Sequence, residues 1–155
     1  MNPARVFAKQ CAKTQAFDFV PSGALEFDAT SIAAACAGTG REYYLAARLY
    51  WMQDWTVASE LERHLWLRVV DMANDGRWRI VETGKERLRG LAGLAVAETA
   101  DPARWNNNDK RGEWMGVTAG QFRRAYAEHY GEVYDRLMAW CDVAAWTVRR
   151  RTKED

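Results

Sequence analysis

The sequence predicts an all-α protein: a single-domain helical bundle with a C-terminal helix-turn-helix and a long final helix. Three observations carry that expectation. Apolar residues recur at spacings of three and four from Tyr44 to Met52, Val57 to Met72, Leu88 to Val96 and Val133 to Val148. The stretch that favours extended backbone, Arg77 to Val81, is too short to anchor a sheet. The joints between periodic segments carry helix stops and caps, among them Gly38-Thr39-Gly40, Gly76, Asp101-Pro102 and Gly116-Val117-Thr118.

Residues 1–28, with Pro3, Pro21, Gly23 and scattered aromatics, read as a weakly patterned arm preceding a helical domain over 29–155. Thr30 or Ser31 can cap a small alanine-rich helix that the Gly38-Thr39-Gly40 turn ends. Arg41 to Trp51 is the next helix, with Tyr44, Leu45, Arg48, Leu49 and Met52 on one broad stripe. Thr56 is the expected N-cap of the helix after it, whose apolar line is Val57, Leu61, Leu65, Val69 and Met72 and which Gly76 ends. Gly84 then introduces KERLRGLAGLAVAETA, where Leu88, Leu91, Ala92, Ala95 and Val96 form an apolar face and Gly90 and Gly93 allow close contact. Asp101-Pro102 and the asparagines 106–108 are expected as a loop. Val133, Leu137, Trp140, Ala144 and Val148 continue a seam along the final helix, with Gly131 as the expected kink or break near its start.

At 155 residues, 48% apolar and 28% charged, the composition is that of one globular domain with bulky core material in eight Trp, six Tyr and five Phe. The first residues lack the apolar stretch of a secretory signal and no long apolar run occurs, so a cytoplasmic location and no membrane partner are expected. Cys11, Cys36 and Cys141 are odd in number and widely spaced, which supports neither a disulfide framework nor a zinc ribbon. A net charge of +1 is too small to mark the whole chain for nucleic acid. Attraction to phosphate would have to come from local clusters: Lys110 and Arg111, Arg123 and Arg124, and Arg149, Arg150 and Arg151.

The segment 107–130, NNDKRGEWMGVTAGQFRRAYAEHY, has the local pattern of two short helices around a glycine turn. Gly112 is small where the first helix passes close to the second, and Gly116 can take the positive φ of a sharp reversal. Thr118 is the N-cap of the second helix and Gln121 the third residue of a capping box. Phe122 and Tyr126 face inward, which leaves Ala119, Gly120, Gln121, Arg123, Arg124 and Ala127 outward. Such a face suits a DNA groove: the small residues let the backbone approach, Gln121 can pair with an adenine edge, and Arg123 and Arg124 can reach guanine or phosphate, with Thr118 and Ala119 counted among the contacts. A glycine joint between two helices is also ordinary architecture, and exposed arginines are often only a solvated face.

Other chemistry is weakly supported. Glu60 and His64 stand four apart on one helix, but a metal needs further ligands, and His64 beside Leu65 is better read as half-buried. Nucleophile elbows, Walker loops and Rossmann glycine fingerprints are absent from the sequence, so neither enzymatic activity nor a cofactor is expected.

The final third, from Lys110 to Arg151, resembles the phage Q-type antitermination proteins, in their small zinc-free form. The likeness rests on Arg111, Met115-Gly116-Val117, Phe122, Arg123, Tyr130, Val133, Tyr134, Leu137 and Trp140. It implies a late-gene regulator that binds double-stranded DNA beside a late promoter, loads onto a paused bacterial RNA polymerase and lets it read through terminators. It also implies a bacterial host, and Thr118 to Ala127 as the reader; the charge placement itself puts Lys110, Arg111 and Arg149 to Arg151 on phosphates. Two alternatives stand beside it: a small terminase-like DNA-binding subunit that self-associates, and a non-enzymatic phage protein that binds and inhibits a host complex through its Trp and Tyr surface.

Overall fold

The computed structural model describes residues 34, 36–37, 39–74 and 85–151, and the arm over 1–28, most of the alanine-rich segment and the link at Arg77 to Val81 lie outside the described residues. Among the described residues the chain is all-α, without strands. Its helices are α1 (Arg41–Met52), α2 (Ala58–Met72), α3 (Lys85–Ala100), α4 (Pro102–Trp105), α5 (Asn108–Met115), α6 (Ala119–Ala125) and α7 (Ala127–Arg151), with a 3-10 turn at Trp55–Val57 before α2. They group into two compact units, one formed by Met1–Val57 with Met138–Asp155 and the other by Ala58–Leu137.

In the first unit α1 buries Leu45, Ala46, Ala47, Leu49 and Trp51. Ala47 and Trp51 join Cys36, Ala144, Ala145 and Val148 in one cluster, with Tyr43, Tyr44, Tyr50 and Met52 packed at its edge. The Cys141 thiol points at the Ala46 carbonyl oxygen, 3.7 Å away, and burial pushes it well above the usual thiol range. Cys36 and Cys141 are both buried, and neither is in a disulfide. Helix α1 closes with Gln53 in the left-handed region at φ 51, whose backbone amide bonds to the Arg48 carbonyl. The expected cap at Thr56 is displaced by two residues. Asp54 accepts from the Thr56 amide at 3.0 Å and from its hydroxyl at 2.6 Å, so a carboxylate does the work expected of the threonine hydroxyl. Asp54 also pairs with Arg48.

In the second unit α2 buries Leu61, Leu65 and Val69, as its periodicity predicts. Helix α3 has the boundaries the sequence suggests, but it is covered on more than one face: every residue from Leu91 to Val96 is buried, as are Leu88, Glu98 and Thr99. Such all-round burial makes α3 the central helix of its unit, and α2, α4 and α5 pack against it. The small residues on it serve α5. The Trp114 indole donates to the Gly90 carbonyl at 3.0 Å, and a Cβ at Gly93 would stand 3.1 Å from the Trp114 ring.

Two expectations about joints are corrected. The Asp101 to Asn108 loop contains a helical turn, α4, because Asp101 accepts from the Arg104 amide and Pro102 occupies a first-turn position where its missing N–H costs nothing. The break before the last helix falls at Tyr126, at φ −125 and ψ −24, while Gly131 lies inside the continuous α7. Backbone bonds from Tyr126 to Phe122 and from Tyr130 to Tyr126 bridge that break, which makes it a bend rather than an end. The seam of α7 is as expected, with Val133, Leu137, Trp140, Ala144 and Val148 all buried.

Candidate nucleic-acid interface

The α5–α6 joint is built by local rules. Asn107 caps α5 by accepting from the Lys110 amide at 3.0 Å. At its other end Gly116 adopts φ 68 and ψ 31, the left-handed conformation that L side chains resist. Its amide bonds to the Glu113 carbonyl at 3.2 Å and the Val117 amide to the Gly112 carbonyl at 2.9 Å, the paired bonds of a Schellman ending. Gly112 fits because the turn folds directly over it: a Cβ there would lie 2.7 Å from the Val117 carbonyl oxygen. Thr118 then accepts from the Gln121 amide at 3.2 Å, and the Gln121 side chain accepts from the Thr118 amide at 3.0 Å, completing the capping box. Two helices are thus joined by three residues, the first of them a left-handed glycine.

Helix α6 is anchored from beneath by Phe122, which is fully buried and packs its ring 5.8 Å from that of Tyr130. Tyr126 sits at the bend, half-buried, and its hydroxyl accepts from Arg87 at 2.7 Å. Above Phe122 the residues Thr118, Gln121, Arg123, Arg124 and Ala125 are exposed, and Ala119 and Gly120 are half-buried. Arg123 and Arg124 make neither a hydrogen bond nor an ion pair with any described residue. Their guanidinium groups are available to a ligand. Gln121 is less so, since its carbonyl oxygen already serves the cap and a bidentate adenine contact would have to use that oxygen's second lone pair.

Of the residues expected at phosphates, Lys110 is exposed and pairs with Glu113 at 3.1 Å, a surface bridge that a phosphate could displace. Arg111 is a correction. Its guanidinium donates to both carboxylate oxygens of Glu98, at 2.7 and 3.1 Å, and to the Trp105 carbonyl at 3.1 Å, and it lies 5.0 Å from the centre of the Tyr130 ring. The group is consumed inside its unit. Burial opposes its charge, but the bonds to Glu98 outweigh that and hold its pKa above the ordinary value. Arg149 is half-buried and Arg150 exposed, with Arg150 stacked 5.7 Å from the Trp146 ring centre; both belong to the other unit. Arg151 ends α7, and its side chain lies outside the described residues.

The structure therefore brings Lys110, Thr118, Ala119, Gln121, Arg123 and Arg124 together on one unit and withdraws Arg111 from the set. What the sequence reading missed is the Glu98–Arg111–Tyr130 cluster. Glu98 is buried and takes a hydrogen bond from the Tyr130 hydroxyl as well as the two from Arg111. Burial and that bond push the Tyr130 phenol far above its ordinary range. A glutamate on the otherwise apolar, small-residue face of KERLRGLAGLAVAETA was the available signal, because a carboxylate there needs partners. The unit Ala58–Leu137 contains as many acidic as basic residues, so any attraction to phosphate is local to α6. Among the described residues no group of His, Cys, Asp and Glu is placed to hold a metal, and no helix is long and apolar enough to cross a membrane.

No protein-family model matches the chain, and neither a curated protein nor a solved structure matches it.

Proposed function

We propose that this chain is a double-stranded-DNA-binding transcription regulator of the antiterminator type its final third resembles, with α6 as the reader. The observation that carries this reading is the state of Arg123 and Arg124: two adjacent guanidinium groups, exposed and uncommitted, on a helix fixed by a capping box directly after a left-handed glycine turn. Spanning seven residues, α6 is about 10 Å long at 1.5 Å per residue. That suffices for the amino-terminal turns of a recognition helix, which make the base contacts in a major groove about 12 Å wide. In this reading Arg123 and Arg124 grip guanine edges or phosphate, Thr118 and Ala119 admit the backbone to the groove wall, and Lys110 exchanges Glu113 for a phosphate. Bacterial RNA polymerase is the second partner, on the strength of the resemblance.

The test is a gel shift on late-promoter DNA with the Arg123→Ala plus Arg124→Ala variant, beside its thermal melt. Binding should be lost while the melt moves little, since exposed substitutions alter stability by about 0.5 kcal/mol or less. The salt dependence of any residual binding should fall by roughly two counterions. Undiminished binding by the double variant removes α6 as the reader. A read-through assay with purified polymerase then separates an antiterminator from other DNA binders, and clear DNA binding without read-through would refute the antiterminator assignment.

A further inference from the structure

From Ala139 to Val148, helix α7 is apolar on two opposite sides. Its seam of Cys141, Ala144, Ala145 and Val148 is buried. Diametrically across the helix, by the turn of about 100° per residue, stand Ala139, Val143 and Trp146, all exposed, with Val143 at 41% and Trp146 at 57%. Charged residues are the usual occupants of an outward face, whereas here three apolar residues follow one another along it, the Trp146 indole with more than half its surface exposed. Asp142 and Arg150 lie on the same side, four residues before and four after Trp146, both exposed, with the Arg150 guanidinium over the indole.

The order acid, indole, base in equal steps of four has a specific property. Laid against itself in reverse, it places each Asp142 beside the Arg150 of the opposite copy and each Trp146 on its counterpart. Opposite charges then meet at both ends of an apolar centre, which is the self-complementarity that an isologous two-fold contact requires. A partner of another sequence would need no such palindromic spacing.

We propose that the outward stripe of α7 is a homodimer interface, formed by antiparallel contact between the α7 helices of two copies of this chain about Trp146. Where α6 is the DNA reader, which rests on the function proposed above, the two-fold axis relates two readers and the target is an inverted repeat.

Sedimentation equilibrium of the full chain without DNA tests the interface. The wild type should show a reversible monomer–dimer equilibrium. Asp142→Arg and Arg150→Asp should each weaken it by roughly tenfold or more, because each turns two attractive pairs into repulsive ones. The combined variant should recover dimerisation, and Trp146→Ala should lose it with helical circular dichroism unchanged. A wild type that stays monomeric throughout, or a combined variant no better than the single ones, overturns the proposal and leaves the stripe to a different partner. The Arg123→Ala plus Arg124→Ala variant should dimerise like the wild type, so loss of the interface and loss of the reader are read separately.

Discussion

Replacing Gly112 by alanine probes the joint on which the candidate reader depends. In an ordinary helix interior the change would stabilise by about 1 kcal/mol, through the backbone entropy that glycine loses on folding. At Gly112 the added methyl would stand 2.7 Å from the Val117 carbonyl oxygen, 3.1 Å from the Thr118 carbonyl carbon and 3.2 Å from the Thr118 oxygen. These are backbone atoms, so relief requires the turn to lift from α5. Overpacking of this kind costs about 1–3 kcal/mol, and stretching the Val117 to Gly112 bond that closes the Schellman ending forfeits about 1 kcal/mol more. Less the helix-propensity gain, the net loss is about 2 kcal/mol, or roughly 4–8 °C in melting temperature for a chain of this size. Gly131→Ala is the internal control. It lies in the interior of α7 with nothing within 4 Å of an added Cβ, and it should raise stability by up to about 1 kcal/mol. Urea denaturation of both variants reads the two signs side by side. If Gly112→Ala matched or exceeded the wild-type midpoint, the turn would not be seated on α5 as described, and the account of how α6 is placed would fall with it.

Tyr130→Phe should cost about 1–2 kcal/mol at neutral pH, because Glu98 keeps Arg111 but loses the phenol donor. Because the folded phenol's pKa is raised above its ordinary 10.0, the wild type holds this contribution in full below that pH and loses it as the solution becomes more alkaline. The difference between wild type and Tyr130→Phe in urea midpoints should therefore shrink in strongly alkaline buffer, and a constant difference would count against the Tyr130–Glu98 bond. Asp54→Asn should show the mirror image. The Thr56 hydroxyl bond, then the Thr56 amide and Arg48, hold the carboxyl below its ordinary 3.8 against the effect of burial, so its contribution is present above that pH and vanishes on acidification. Melting curves of wild type and Asp54→Asn should separate at pH 7 and converge in strong acid; parallel curves would remove the carboxylate from the cap.

Much of the helical layout is legible in the sequence because it is set by local rules. The bounds of α3, the seam of α7, the buried line of α2 and the Thr118–Gln121 capping box all follow from periodicities and caps within a few residues of chain. The misses share a physical cause. Arg111 reads as a phosphate contact because it adjoins Lys110, whereas its partners Glu98 and Tyr130 are 13 residues before it and 19 after, and no local pattern records such a pairing. Gly131 reads as a break by its intrinsic propensity, but the helix runs through it with Val133 and Leu137 packed a turn beyond, and packing outweighs about 1 kcal/mol of propensity. The 3-10 turn that leads into α2 is capped by Asp54, and Thr56 lies inside it, because a carboxylate can accept from both the amide and the hydroxyl of the threonine, which a hydroxyl cannot do for itself. At the candidate interface the outward set on α6 could be named from spacing alone. That its two arginines are uncommitted could not, since exposure and pairing depend on what the rest of the unit brings near.

The enclosure of α3 bears on how this chain can change over generations. A helix covered all round from Leu91 to Val96, with an indole resting on Gly90 and Gly93 and a glutamate held by Arg111 and Tyr130, tolerates few replacements, whereas the surface of α6 can vary its arginines and its neighbours without disturbing the core. Descendants that acquire new binding preferences should therefore keep the Gly90 to Thr99 stretch almost letter for letter. That stretch, more than the candidate reader, is the signature by which distant kin of this chain would be recognised.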